Sequence, residues 1–111
     1  MSYDPEYAMG LFGAGRYNEV IEYCRPFADQ GIAEAQCELG TMYQMGVGTD
    51  ADPQMAESLF LKAAEQGFPV AWCNLGTLYA SGALDSADAV RAAFCYRRAY
   101  ELGGPSHADY L

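Results

Sequence analysis

Leu39-Gly40-Thr41-Met42-Tyr43 returns 36 residues later as Leu75-Gly76-Thr77-Leu78-Tyr79. Three glycines, Gly31, Gly67 and Gly103, are separated by the same interval. Self-similarity at a fixed period of this length is typical of a stacked repeat protein, in which each unit contacts only its neighbours. A row of such units makes one continuous surface, so the pattern predicts binding rather than chemistry.

Apolar and small residues recur at the spacing of amphipathic helices throughout the chain. In the middle unit the predicted packed faces contain Ala35, Leu39, Met42 and Tyr43, then Met55, Ala56, Leu59, Phe60, Ala63 and Ala64. In the last unit they contain Ala71, Leu75, Leu78 and Tyr79, then Ala92, Ala93, Cys95, Tyr96, Ala99 and Tyr100. The first unit is predicted to have a shorter connection between its helices, which cover residues 5–12 and 17–30 with a turn at Gly13-Ala14-Gly15.

Helix boundaries are marked by capping residues. Asp4-Pro5 and Asp52-Pro53 each place an N-cap acceptor before a proline, whose missing N–H costs nothing at the first helical position. Pro69 and Pro105 are predicted to open two further helices. We therefore expect one all-α domain, a solenoid of three antiparallel helix pairs. Its units cover roughly residues 3–31, 32–67 and 68–103, and a partial fourth unit, a C-terminal stub, covers residues 104–111.

The charge balance limits the class of partner. Fifteen acidic residues against six basic ones give a formal net charge of −9. Such a chain repels phosphate backbones and anionic lipid, so we expect no nucleic acid and no membrane as partner, whereas a basic protein would be attracted. Acidity that serves solubility alone is the alternative explanation.

The N-terminus has no basic region followed by an apolar run, and no stretch reaches the roughly 18–20 apolar residues of a membrane helix. We therefore expect a cytoplasmic protein with reduced thiols. No two of the four cysteines have the close spacing of a metal or redox motif, and His107 is the one histidine, so no metal and no cofactor is expected. Cys37 and Cys73 are equivalent across units, but neighbouring helices lie about 8–10 Å apart, which is too far for a disulfide.

These motifs resemble the Sel-one-like repeat (SLR) family, relatives of the tetratricopeptide repeats. The family unit reads approximately A-x-A-x-x-x-L-G-x-x-Y-x-x-G, then a loop and A-x-x-W/L-Y/F-x-K-A-A-E-Q-G. Residues 33–40 and 56–67 match it almost throughout, and residues 95–103 match it more loosely. The resemblance implies a right-handed superhelix of antiparallel helix pairs that holds other proteins.

The resemblance also implies that the first helix of each unit lines an inner, concave surface. The candidate protein-binding positions on these helices are Met9, Phe12, Glu34, Cys37, Glu38, Thr41, Gln44, Val70, Cys73, Thr77 and Ala80. This mostly neutral stripe suits an extended segment or a helix of a partner; the alternative is that these are ordinary half-exposed residues. Trp72 is a further candidate, because tryptophan is enriched at binding hot spots. The resemblance favours packing instead, since in tetratricopeptide-type units this position is often a large aromatic packed against the second helix.

No arrangement of residues predicts a catalytic site. The repeats place no histidine near a cysteine or serine in a cleft, and the chain lacks a glycine loop ending in lysine. A reactive thiol would need an electropositive setting that six basic residues hardly provide. We therefore expect a non-catalytic adaptor or regulator. The alternatives are an immunity-type inhibitor of a toxic enzyme and a small chaperone for a secreted client.

The last predicted helix is more apolar than its counterpart, because Phe94 and Tyr100 replace Ser58 and Ala64. The end of a repeat array normally needs a polar cap. We therefore expect the C-terminal stub, a partner or a second chain to cover this helix. The second chain would make a homodimer through the C-terminal unit.

Overall fold

The computed structural model describes residues 2–103, which form six α-helices and no strand. The helices are α1 (Pro5–Gly13), α2 (Tyr17–Asp29), α3 (Ala33–Met45), α4 (Pro53–Ala64), α5 (Pro69–Ser81) and α6 (Ala89–Glu101). They pack as three consecutive pairs, and each pair also contacts the next. The predicted all-α helical repeat is confirmed. The predicted C-terminal stub at residues 104–111 lies outside the described residues.

Aspartate caps begin three of the six helices. The Asp4 carboxylate accepts hydrogen bonds from the backbone N–H groups of Glu6 and Tyr7 at the start of α1. Asp52 and Asp88 cap α4 and α6 in the same way, through one backbone N–H each. These bonds satisfy donors that a helix N-terminus otherwise leaves unpaired, which explains why the two predicted Asp-Pro pairs begin helices.

A glycine lets the two helices of a pair approach closely. A Cβ atom added to Gly40 in α3 would lie 2.7 Å from Cε1 of Phe60 in α4. The equivalent Cβ on Gly76 in α5 would lie 2.7 Å from Cε1 of Tyr96 in α6. Both distances are far below a van der Waals contact, so each aromatic ring occupies space that only glycine leaves open.

The buried residues form two hydrophobic clusters, and the middle helix pair contributes to both. One cluster joins α1, α2 and α3 with Leu59, whereas the other joins α4, α5 and α6 with Cys37. Among the first helices, α3 and α5 contact each other directly, whereas α4 and α6 have at most isolated contacts. Helices α3 and α5 therefore lie closer to each other than α4 and α6 do.

Three residues that helical periodicity assigns to packed faces are exposed, namely Met55, Ala93 and Tyr100. Met55 is 42% exposed and Tyr100 is 65% exposed. Tyr100 is the counterpart of Ala64, which is buried at the boundary with the following unit. Since the described chain ends just after α6, Tyr100 has no following described helix to cover it. Periodicity alone does not say which part of a face a neighbouring unit covers.

Candidate functional site

The first helices α1, α3 and α5 together line a groove of about 210 Å³. We call this surface the first-helix groove, and its lining consists of Tyr3, Pro5, Met9, Glu34, Cys37, Glu38, Thr41, Phe68, Val70 and Asn74. The repeat explains its construction, because equivalent residues of successive units lie side by side. Thus Val70 repeats the position of Glu34, and Asn74 repeats that of Glu38.

The structure brings together six of the twelve candidate residues. Met9, Glu34, Glu38, Thr41 and Val70 line the first-helix groove, and Cys37 forms part of the same lining. The other candidates lie elsewhere. Phe12 packs edge-on against Tyr17, and the Thr77 hydroxyl lies 3.2 Å from that of Tyr96. Trp72 lines a different groove, and the lining of the first-helix groove does not include Gln44, Cys73 or Ala80. Equivalent positions of α1, α3 and α5 thus face different neighbours, because each of these helices also packs against the second helix of its own pair.

Two apolar side chains project from the first-helix groove towards solvent. Met9 is 65% exposed and Val70 is 43% exposed. They come from the first and third helix pairs, on either side of α3. A ligand that covered both side chains would remove apolar surface from water, which is the main favourable term in most protein association.

The polar part of the first-helix groove is acidic. Glu34 and Glu38 lie one turn apart on α3, and neither side chain forms an ion pair or a hydrogen bond with another residue between positions 2 and 103. Partial burial raises the pKa of the Glu38 carboxyl above its ordinary value. The lining contains no Lys or Arg, so these charges lack a cation within the groove.

An aromatic cluster holds the N-terminal wall of this groove. The Tyr3 ring stacks on that of Tyr23 with centroids 5.6 Å apart and meets Phe27 edge-on at 5.4 Å. The Tyr23 hydroxyl accepts a hydrogen bond of 2.8 Å from the backbone N–H of Asp4. Burial is the main cause that raises the pKa of the Tyr3 hydroxyl, and its contact with the Cys24 thiol adds to the effect. Residues before α1 are therefore fixed against α2.

A second groove, of about 370 Å³, lies between α4 and α6 with α5 at its base. We call it the second-helix groove, and it is lined by Glu57, Leu61, Trp72, Leu75, Tyr79, Arg91, Phe94 and Cys95. One end is polar, because the Tyr79 hydroxyl donates a 2.7 Å hydrogen bond to Glu57. Burial, and then this bond, raise the pKa of Tyr79 to about 12.

All four cysteines are buried and free of disulfides. Burial raises the pKa of the Cys37 thiol to about 12 and those of Cys24 and Cys95 to about 11. These three thiols therefore stay protonated near neutral pH, whereas thiolates are the reactive form. Between residues 2 and 103, no group of three or more His, Cys, Asp or Glu side chains could hold a metal ion. The two grooves can therefore bind a ligand through their shape, their apolar side chains and their charged groups.

No helix in the described part of the chain is long and apolar enough to cross a membrane.

Some groove residues escaped prediction for identifiable reasons. Asn74 could have been found, because it lies 36 residues after Glu38. Tyr3 precedes the first helix, where the repeat supplies no equivalent position. Leu61 occupies a solvent-facing position of α4, and only the gap between α4 and α6 shows that it borders one groove with Phe94, which the sequence had already marked as an apolar residue of the last helix.

Comparison with known proteins agrees with this architecture. The Sel1 repeat family model matches residues 33–68 and 69–104, which is more than half of the chain. A Sel1 repeat protein from Oxalobacter formigenes is similar in structure, with a TM-score of 0.75 and 34% sequence identity. The chain aligns over 86% of its own length and 38% of that protein.

A second similar structure is c5321, a protective antigen present in uropathogenic Escherichia coli strains that displays an SLR fold. Its TM-score is 0.71 at 29% identity, over 78% of this chain and 19% of c5321. The chain thus spans well under half the length of both proteins. No curated protein matches it significantly in sequence. On the two repeat matches, the chain belongs to the Sel1 repeat family.

Proposed function

We propose that this chain is a non-catalytic interaction module that binds a segment of another protein in the first-helix groove. Sel1 repeat proteins generally mediate protein–protein interactions. The observation that carries the proposal is the groove itself, which combines exposed Met9 and Val70 with two carboxylates that lack a cation. Three stacked helices supply one elongated surface, which suits an extended segment or a helix.

We propose that the partner of this chain is a basic protein. Glu34 and Glu38 would attract a Lys or Arg side chain between two apolar contacts, and the net charge of −9 would accelerate its approach. The same charge disfavours nucleic acid and anionic membranes. We also propose a cytoplasmic location, which agrees with four unbridged thiols.

One of the alternative functions gains support from the acidic groove. An immunity-type inhibitor would bind a single cationic enzyme, and its association would slow as salt rises. A chaperone would bind a set of apolar clients with little dependence on salt. The two unpaired carboxylates favour the inhibitor over the chaperone, because apolar clients would have to bury them without compensation.

Affinity capture with matched variants tests the proposal. The chain is used as bait in lysate of its native host at low and at high salt, as the wild type, Val70→Glu and Met45→Glu. Met45 is a suitable control because it is 52% exposed and lies outside the lining of both grooves. We expect a stoichiometric basic partner with the wild type and Met45→Glu at low salt, and its loss with Val70→Glu. Equal capture by both variants would contradict binding in this groove.

A further inference from the structure

We propose that the first-helix groove takes an extended segment of the partner in which one basic side chain lies between two apolar side chains at alternate positions. This inference rests on the function proposed above and deepens it, because it names the conformation and the side-chain pattern that the groove selects.

The basic residues of the chain are kept away from the helices that line this groove. Helices α1, α3 and α5 carry three acidic residues, Glu6, Glu34 and Glu38, and no basic residue. All six basic residues lie on α2, α4 and α6 or on the turn before α2, namely Arg16, Arg25, Lys62, Arg91, Arg97 and Arg98. Net acidity alone would not separate the charges in this way. A cation that approaches the groove therefore meets carboxylates and no base on the lining helices.

The two carboxylates of the groove form a binding position for one cation. Glu34 and Glu38 are four residues apart on α3, so their Cβ atoms lie about 5–6 Å apart on one face. Glu38 is half-buried, so its charge has lost part of its hydration without a cation in return. A guanidinium presents five N–H donors in one plane and can contact both carboxylates, so arginine suits this position better than lysine.

Apolar side chains flank the cation position. Met9 of α1 and Val70 of α5 line the groove and are more than two-fifths exposed, at 65% and 43%. Packing of the repeat does not require an apolar residue at position 70, because the equivalent residue of the preceding unit is Glu34. The groove thus offers an apolar contact on α1, an acidic one on α3 and an apolar one on α5.

The size of the groove distinguishes an extended segment from a helix. Its volume of about 210 Å³ is below the roughly 300–1,000 Å³ of pockets that enclose a whole small-molecule ligand. An α-helix with its side chains is about 10–12 Å wide, so the groove admits individual side chains but not a helix. In an extended segment, alternate side chains project to the same side, roughly 6–7 Å apart. One side of such a segment can place its basic residue on α3 and its apolar residues on α1 and α5.

Three short peptides test this pattern. The probe is acetylated and amidated Leu-Ser-Arg-Ser-Leu, and the first control has citrulline, which has nearly the shape of arginine but no charge, in place of Arg. The second control is Ser-Leu-Arg-Leu-Ser, which has the same composition but projects its leucines away from the arginine side. We expect the probe to shift the methyl resonances of Met9 and Val70 saturably in NMR titrations, and both controls to bind at least tenfold more weakly. Binding of the probe should weaken as salt rises.

Variants assign the binding to these residues. We expect Glu38→Gln to lower the affinity for the probe by about three- to tenfold, because the guanidinium loses one of its two carboxylates. Glu65→Gln removes the same charge from an exposed position outside both grooves and should bind the probe as the wild type does. Val70→Ser should weaken binding by about threefold or more through loss of an apolar contact.

Equal binding of either control peptide would overturn the inference, and so would equal affinities of Glu38→Gln and Glu65→Gln. These results are distinguishable from failure of the proposed function. If Val70→Glu abolishes capture of the native partner while all three peptides bind alike, the groove binds a partner but does not select this pattern. If Val70→Glu leaves capture unchanged and no peptide shifts either methyl resonance, both the proposed function and this inference are wrong.

Discussion

At the residue scale, Gly40 and Gly76 set the distance between the two helices of a pair. An alanine in the middle of a helix is favoured over glycine by up to about 1 kcal/mol. Here that gain competes with overlap between the new Cβ and an aromatic ring, 2.7 Å away in both cases. The overlap should cost more where the ring is less able to move. Phe60, beside Gly40, is fully buried, whereas Tyr96, beside Gly76, is only half-buried.

We expect Gly40→Ala to lower the free energy of unfolding by about 1–2 kcal/mol, because overpacking costs about 1–3 kcal/mol and outweighs the helical gain. Gly76→Ala should lower it less. Gly10→Ala is the matched control, since a Cβ added there would meet no atom within 4 Å, and it should raise the free energy of unfolding by about 0.5–1 kcal/mol. Urea denaturation measures all three values. A Gly40→Ala protein as stable as Gly10→Ala would contradict the packing.

A buried tyrosine should make stability depend on alkaline pH. The Tyr79 pKa is raised to about 12 in the folded chain, against about 10 in an unfolded one. A raised pKa means that the folded state favours the protonated phenol. Its contribution is fully present below about pH 10 and is lost as the pH rises to about 12. Tyr79→Phe should therefore lose less stability over that interval than the wild type, in urea denaturation at several pH values. Parallel losses in the two proteins would show that this phenol is not responsible.

Repeat equivalence predicted some, but not all, residues of the first-helix groove. Glu34 and Val70 are an equivalent pair, and both line the groove. It failed for Phe12, because this ring packs edge-on against Tyr17 at the start of α2 instead. It also missed Tyr3, whose position depends on aromatic contacts with α2 that no local pattern encodes.

At the scale of elements, helix beginnings were predictable because capping is a local interaction. The sequence Asp-Pro places an acceptor and a fixed φ at consecutive positions, and α1 and α4 begin there. The exposed faces were less predictable, since Tyr100 shares its helical register with buried Ala64. Ala64 is buried by the unit that follows it, and such coverage is a tertiary feature.

We expect Asp52→Ala to lower the free energy of unfolding by about 1 kcal/mol, because the backbone N–H of Met55 loses its acceptor. Asp52→Asn keeps an acceptor and should cost much less. Asp50→Ala, two residues earlier in the exposed turn, is the control for loss of a negative charge. Thermal unfolding of the three variants compares them. Equal effects of Asp50→Ala and Asp52→Ala would assign the change to charge rather than to capping.

At the scale of the whole molecule, the middle helix pair joins the two hydrophobic clusters. Leu39 and Met42 of α3 belong to one cluster, whereas Phe60 and Ala63 of α4 belong to the other. In a repeat protein, stability is roughly the sum of each unit and its interfaces with neighbours. The middle unit has two described interfaces, and the outer units have one each.

Hydrogen exchange should therefore be slowest in the middle of the chain. We expect the amides of α3 and α4 to exchange only through global unfolding, and those of α1 and α6 to exchange through local opening. Mass spectrometry of exchanged peptides measures this order. Protection that is highest in α1 or in α6 would contradict a stack held together by its middle unit.

The central claim is that a protein partner binds in the first-helix groove, and site-directed photo-cross-linking tests it most directly. Val70 is replaced with benzoylphenylalanine in one protein and Met45 in another, and both are irradiated in the native host. Met45 is again the control because it is similarly exposed outside both grooves. We predict one discrete cross-linked protein from position 70, joined through a segment that contains Lys or Arg, and none from position 45. Cross-links from position 45 alone, or equally from both, would contradict the account.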